Sequence, residues 1–470
     1  MEKKYAIFKG TLIIVGFGSV AHGVLPLLLR HLEIRPDQIR IFSAEDDHEE
    51  AARRYGIQHE TCPLTEENYL SILKPLLNPG DFLLNLSVSV SSLALVNLCR
   101  RCDALYLDTS IEPWEGGYTD QSVSVSERSN YALREHVLES GRKHVEGPTA
   151  VLAHGANPGL VSAFVKKALL DIASSNGITT NPASQRDWAD LAFRLGIKVI
   201  HVAERDTQTT TLRKKTNEFI NTWSVDGLIS EGLQPAELGW GTHERHWPEN
   251  ASRHDFGCGA AIYLNQPGAA TRVRSWTPLE GTYHGFLITH NESITLADFL
   301  TLRDTDKLIY RPTVHYAYYP CDDTILSLCE MAGNNWQPQP HKRIIRDEIN
   351  SGMDELGVLL MGNQKGTYWY GSRLTIEEAR ALAPYNNATS MQVAMGVLSG
   401  MIWALRNPRA GIVEAENIDH NFILDISRPY LGAMVGVYGD WSPLRDRNWP
   451  FKEDLDLDDP WQFKNIVVRY

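Results

Sequence analysis

Cysteine is scarce in this chain. Six in 470 residues, at positions 62, 99, 102, 258, 321 and 329, are too few and too scattered for a disulfide framework, which excludes a small secreted scaffold stapled by bridges. The Cys99-Arg-Arg-Cys102 spacing is that of a redox pair, but it falls late in a helical stretch with no second pair or nearby histidine to complete a zinc site, so its reading is structural. Basic residues are also in deficit. Lys and Arg number 45 against 58 Asp and Glu, a formal charge of -13, whereas nucleic acids and anionic membranes select basic surfaces. An acidic chain suits a cationic small ligand better. Long apolar runs are missing too. The stretch 11–29, after Lys3 and Lys4, is broken by Gly16, Gly18, His22, Gly23 and Pro26, and reads as strand, turn and helix rather than as a leader peptide. Nowhere else do the roughly 18 uninterrupted apolar residues of a membrane span occur. The expectation is a cytoplasmic protein with neither membrane nor nucleic acid as partner. Internal repeats and low-complexity linkers are absent as well.

What is present is an ordinary globular composition, 43% hydrophobic and 22% charged, with length for two or three cores. Over residues 1–156, β-type runs at 12–15, 39–42, 82–86, 104–107 and 149–153 alternate with helical periodicity at 20–32, 46–55, 66–77, 91–101 and 129–139. That alternation predicts a parallel sheet with crossover helices, a Rossmann-type α/β domain. From Asn157 the pattern changes to a helix at 160–173, a polar stretch, then strand and turn signals, the mark of an α+β substrate and dimerisation domain over 157–385. A hairpin is expected at 357–371 with Asn363-Gln-Lys-Gly366 as its turn, and Thr375 with Glu378 forms a capping box. The last unit, 386–470, starts with a helix at 389–405 and ends in an aromatic, acidic tail that packs on the body or on a second subunit.

Gly16-Phe17-Gly18-Ser19-Val20-Ala21 is a G-x-G-x-x-A dinucleotide fingerprint between a strand and an apolar-periodic helix. Its first glycine permits the turn, its second lets backbone approach the diphosphate, and the helix amino end offers free N-H groups. The second strand runs into Ser43-Ala-Glu-Asp46, where an acid for the adenosine ribose is displaced by two residues. With no arginine there to favour a 2'-phosphate, NAD is the expected cofactor.

Longer motifs carry more information: Asn85-Leu-Ser-Val, Tyr106-Leu-Asp-Thr-Ser-Ile-Glu-Pro-Trp114, Gly155-Ala-Asn-Pro-Gly159, His201-Val-Ala-Glu-Arg-Asp-Thr-Gln208, Asn221-Thr-Trp-Ser-Val-Asp-Gly227, the run 231–240, Thr289-His-Asn-Glu292 and Asp354-Glu-Leu-Gly357. Along nearly its whole length the chain resembles the bacterial homospermidine synthase family, whose architecture is similar to that of saccharopine dehydrogenases. The resemblance implies a homodimer with tightly held NAD, a late helix returning to the cofactor domain, and polyamine substrates, putrescine first and spermidine second. It implies oxidation of putrescine to an imine, loss of ammonia, attack by a second putrescine and return of the hydride. It further implies catalytic roles for Glu112, Glu204, Glu231, His290 and Asn157, substrate contacts from Trp223, Asp354 and Glu292, and cofactor contacts from Gly16, Gly18, Ser19, Val20, Ser43, Asn85, Ser87, Asp108, Thr109 and Asn157. The family pattern has an acid where this chain has Ser89.

These residue types suit that chemistry. A diamine at neutral pH carries two ammonium groups, whose dehydration costs several kcal/mol each unless carboxylates or aromatic faces replace the water. Glu112 follows a Rossmann strand at the ligand-binding edge of the sheet. Glu204 ends the apolar run 197–203 and needs either Arg205 or a ligand amine as partner; Glu231 is expected in a turn. Trp223 offers an indole face worth roughly 0.5–2 kcal/mol to a cation. Hydride abstraction needs a neutral amine, so Glu112, Glu204 or His290 must take a proton. Asn157 either bonds a ligand or caps the following helix, and Asp354 is not separable by position from Glu355. His243, His246 and His254 match no metal motif, and no metal is expected. Two rivals remain: a saccharopine or carboxynorspermidine type of dehydrogenase, which needs a basic subsite for a carboxylate, and a silent NAD-binding sensor.

Overall fold

The computed structural model describes residues 3–45, 49–142, 146–447 and 449–469. The expected first strands are there: β1 (Leu12–Val15), β2 (Ile39–Ser43), β4 (Phe82–Asn85), β5 (Leu105–Asp108) and β6 (Ala150–Leu152), with β3 (Gln58–Thr61) unforeseen because its half-exposed polar residues carry no apolar signal. Every residue of β1 is buried, as in a strand covered on both faces. The order β6-β5-β4-β1-β2-β3 is parallel throughout. The helix expected over 46–55 begins outside the described residues and is seen as Glu49–Arg54. The one expected over 66–77 shrinks to Tyr69–Leu73 and a 3-10 turn, Lys74–Leu76, where Pro75 removes an amide donor.

The second domain opens with α2 (Leu160–Ser175), following α1 (Ser19–His31) of the first. Its ten-stranded mixed sheet is built from β7 (Val199–Asp206), β8 (Pro235–Gly239), β9 (Ala251–Arg253), β10 (Ala261–Pro267), β11 (Arg272–Thr277), β12 (Gly281–Phe286), β13 (Thr313–Tyr319), β14 (Met353–Met361) and β15 (Thr367–Thr375), completed by a later strand. β7 sits at its centre, parallel to β13 and antiparallel to β14. The expected hairpin is β14 with β15, pairing Gly357 with Gly371, and Thr375 caps the next helix by the expected box.

The chain then crosses twice between the sheets. Helix α5 (Ala388–Arg406), preceded by α3 (Val225–Leu233) and α4 (Asn291–Phe299), packs so closely on the cofactor domain that a methyl group on Gly396 would lie 1.9 Å from the Gly155 carbonyl oxygen. It is long and apolar enough to cross a membrane, yet it is almost wholly buried between the two sheets. β16 (Ile412–Glu414) adds a seventh strand to the Rossmann sheet beside β6, and β17 (Ala433–Gly439) adds the outer strand to the second sheet beside β15. The tail packs on the body through Trp441, Phe463 and Ile466, while Trp449 and Phe451 stand exposed.

Candidate active site

A cleft of about 800 Å³ separates the carboxyl edge of the Rossmann sheet from the second domain. On the Rossmann side it begins at the Gly16–Val20 turn. Gly16 has φ +85 and faces the Ser87 backbone, where an added Cβ would lie 2.7 Å away, so the turn closes only with glycine. Gly18 has open space where a side chain would stand, and the Ser19 hydroxyl beside it is buried without a partner among the described residues. An open, polar cradle at a helix amino end fits the diphosphate of a dinucleotide. Ser43 lines the cleft at the adenosine end, its hydroxyl donating to the Glu45 carbonyl at 2.6 Å. Ser87 and Thr109 line the same wall.

Asn85 and Asp108, expected as cofactor contacts, stand behind that wall. Asn85 accepts from the Ser87 hydroxyl at 2.5 Å, and Asp108 accepts from the Ala153 amide at 2.6 Å and the Tyr106 hydroxyl at 2.8 Å, which ties the ends of β5 and β6 together. From there the chain turns into the cleft at Glu112, whose backbone is bonded in both directions to Ser92. The Glu112 carboxylate accepts from the Ser110 hydroxyl at 3.1 Å and from the amide of Ser89, which has φ +64, at 3.3 Å. Burial pushes Glu112 up to about 7.

Glu204 comes from β7. Strand alternation sends Arg205 to the other face, where it meets Glu280 at 3.6 Å and lies 4.6 Å over Tyr319, so Arg205 is not the partner of Glu204. Glu204 instead accepts from Asn157 at 3.1 Å and from the Tyr316 hydroxyl. Asn157 therefore holds Glu204 and does not cap α2, whose N-cap is Gly159. The register of β7 with β14 pairs Asp206 with Asp354 on this same face, beside Glu204. Asp206 accepts from Thr222 at 2.8 Å, and Asp354 accepts from Thr389 at 2.5 Å while its other oxygen is buried without a partner. Burial pushes Glu204 up to about 7 and raises Asp206 to about 6, and burial with repulsion from Glu204 and Asp206 raises Asp354. Among the described residues, no Lys or Arg forms an ion pair with any of these carboxylates.

Glu231 lies in α3, not in a turn, because Ser224 caps a helix that runs through it. Its carboxylate is 3.1 Å from His290 Nε2, and Glu292 is 3.2 Å from His290 Nδ1. Burial pulls the imidazole down, but the two carboxylates outweigh it and hold it well above its ordinary value, as an imidazolium. Its ring packs on Tyr316 at 4.3 Å. Trp223, half-buried, lines the cleft and donates from Nε1 to the Tyr318 hydroxyl at 3.1 Å, which fixes its plane. Glu292 and Asp354 lie behind the lining, as Asn85 and Asp108 do. His243, His246 and His254 point elsewhere, to Trp461, Asp456 and Ser126. Tyr316, Asp206 and the basic side chains Lys342, Arg343 and Arg346 were not foreseen; a tyrosine two residues from another on a strand was the available signal for Tyr316.

The chain is similar to known proteins along nearly its whole length. Residues 12–151 match the saccharopine dehydrogenase NADP binding domain and residues 155–440 the saccharopine dehydrogenase C-terminal domain. The homospermidine synthase of Blastochloris viridis is 51% identical over 470 residues, covering 99% of this chain and 98% of that one, and that of Mesorhizobium japonicum is 50% identical over 473 residues, covering 99% and 98%. The crystal structure of the homospermidine synthase from Legionella pneumophila in complex with NAD superposes with a TM-score of 0.92 at 51% identity, covering 98% of each chain.

Proposed function

The chain belongs to the homospermidine synthase family, and on that premise we propose that its cleft converts two molecules of putrescine into homospermidine and ammonia, with NAD recycled in each turnover. The observation that carries this reading is the buried carboxylate face of the cleft lining, Glu112 and Glu204, to which no Lys or Arg is paired among the described residues, with Asp206 and Asp354 buried behind Glu204. Such a face is costly unless a cation completes it, and a diamine brings two.

The Gly16–Val20 turn and the Ser43, Ser87 and Thr109 wall would hold NAD, which when bound would supply the hydride acceptor that makes an amine carbon electrophilic. The protein supplies the rest. With diphosphate at the turn and adenosine at Ser43, the remaining end of the cleft is walled by Glu112, Asn157, Glu204, Trp223 and His290. Glu112 and Glu204, both poised near neutrality, are the groups able to take the ammonium proton and free the nitrogen lone pair. His290, already an imidazolium, is not the base; it positions Glu231. As the C–H bond breaks, the C=N bond of an imine forms, and the second amine adds to its carbon. The C–N bond to the first nitrogen then breaks, ammonia leaves with the proton stored on the carboxylate, and the new imine is reduced by the returned hydride. The Trp223 face stabilises the iminium charge at both stages. Asn85, Asp108, Glu292 and Asp354 act through the residues they hold. Lys342 and Arg343, two of the basic side chains of the cleft, are engaged by Asp226 and Glu218 and so are not free to bind the carboxylate of a saccharopine-type substrate. Exposed Trp449 and Phe451 support a second copy as the partner, in a cytoplasmic homodimer.

The test is a mass-resolved assay with putrescine and catalytic NAD. Homospermidine and ammonia rising in equal amounts over many turnovers, with little net NADH, is the expected result. Stoichiometric NADH without homospermidine would replace this reading with a simple dehydrogenase, and bound NAD without turnover would replace it with a sensor.

A further inference from the structure

The dinucleotide diphosphate is dianionic, yet the Rossmann wall of the cleft contributes no Lys or Arg among its described lining residues and does contribute Glu45 and Glu112. The basic side chains of the cleft, Lys342, Arg343 and Arg346, all come from one segment of the second domain. Two of them are spoken for: Lys342 pairs with Asp226, and Arg343 pairs with Glu218 and Glu348 at 2.8 and 2.7 Å. Arg346 is different. Its side chain is half-buried and makes no hydrogen bond or ion pair among the described residues, although its backbone carbonyl accepts from Arg380 at 3.0 Å. Burial lowers its proton affinity, only partly offset by Asp347 and Glu348.

Its place along the cleft is set by its neighbours. Arg346 also bounds an adjoining cavity of about 280 Å³ with Arg380, Tyr385 and Asn386. Tyr385 accepts from Arg54, on the helix before β3 that follows the adenosine-side strand β2, at 3.1 Å, and Asn386 donates to the Gly23 carbonyl of α1 at 3.1 Å. Those elements flank the phosphate and adenosine end.

We propose that Arg346 is a phosphate-binding residue of the dinucleotide site, supplied across the cleft by the second domain, so that both domains grip the cofactor. A desolvated, planar guanidinium without a protein partner is completed by an oxyanion that accepts two parallel N-H bonds, and phosphate is the anion this cleft receives. The inference rests on the dinucleotide reading above. Two phosphates have this chemistry, the bridging diphosphate and a 2'-phosphate on the adenosine ribose.

Binding of NAD and of NADP, measured by calorimetry on protein freed of co-purified nucleotide and without amine present, tests it. In Arg346→Ala the dissociation constant for NAD is expected to rise about ten- to a hundredfold, with Arg346→Lys recovering part of the loss and the salt dependence of binding becoming shallower. An equal loss for both dinucleotides assigns the diphosphate, and a loss confined to NADP assigns the 2'-phosphate. Unchanged affinity for both in a folded Arg346→Ala protein would overturn the inference. Wild-type protein that binds neither dinucleotide would instead remove the dinucleotide reading, and this inference with it.

Discussion

The two faces of the central strands β7 and β14 treat the same residue type in opposite ways. Glu204 and Arg205 are neighbours in sequence, as are Asp354 and Glu355, yet alternation sends one of each pair to each face. On the far face, Glu355 is fully buried and accepts from Arg373 at 3.2 Å and from the Leu279 and Glu280 amides, while Arg205 meets Glu280. On the cleft face, Glu204, Asp206 and Asp354 have hydroxyl and amide donors but, among the described residues, no Lys or Arg ion pair, and only the His290 imidazolium acts on Glu204 as a counter-charge. Burial alone therefore does not mark a functional carboxylate; burial without a Lys or Arg ion pair does.

The largest effect separating the faces is expected on turnover. Glu204→Gln keeps the shape and the Tyr316 bond but removes a proton acceptor, and should lower kcat by about 10²–10⁴-fold in the homospermidine assay. Its melting temperature should hold or rise, because a buried unpaired charge is gone. Glu355→Ala should do the reverse, costing about 3–5 kcal/mol of stability in denaturant unfolding by stranding Arg373, with turnover per folded molecule preserved.

Acid should then act on the cleft face. Because the carboxylate that takes the proton, Glu112 or Glu204, must be deprotonated to work and both sit at about 7, kcat/KM should fall about tenfold per pH unit below that value. A carboxylate raised in the folded protein binds its proton there when the unfolded chain has released it, so its contribution to stability is lost as pH rises through about 7. The stability advantage of Glu204→Gln over wild type should therefore grow between pH 5 and 7, by of order 1–3 kcal/mol. The smallest effect is expected at Trp223→Phe, which loses the bond to Tyr318 and part of the ring's attraction for cations; KM for putrescine should rise about 3- to 30-fold.

The Rossmann half could be read from sequence because its signals are local: buried apolar strands, a glycine turn and helical periodicity. β3 escaped since its residues are polar and half-exposed. The site was readable as a set of residue types, and the motif resemblance named most of its members. What could not be read is which face each side chain takes, because that depends on pairings between β7, β13 and β14 more than a hundred residues apart. Hence the Glu204 partner, the choice between Asp354 and Glu355, and Tyr316 had to come from the structure. Glu231 was misplaced in a turn because Gly232 suggested a break that the Ser224 cap overrides.

The strand Ile412–Glu414 lies beside Ala150–Leu152, though some 260 residues separate them. During synthesis the cofactor sheet therefore waits with a bare edge while most of the second domain leaves the ribosome. A fragment ending near residue 156 lacks the strand that completes its sheet.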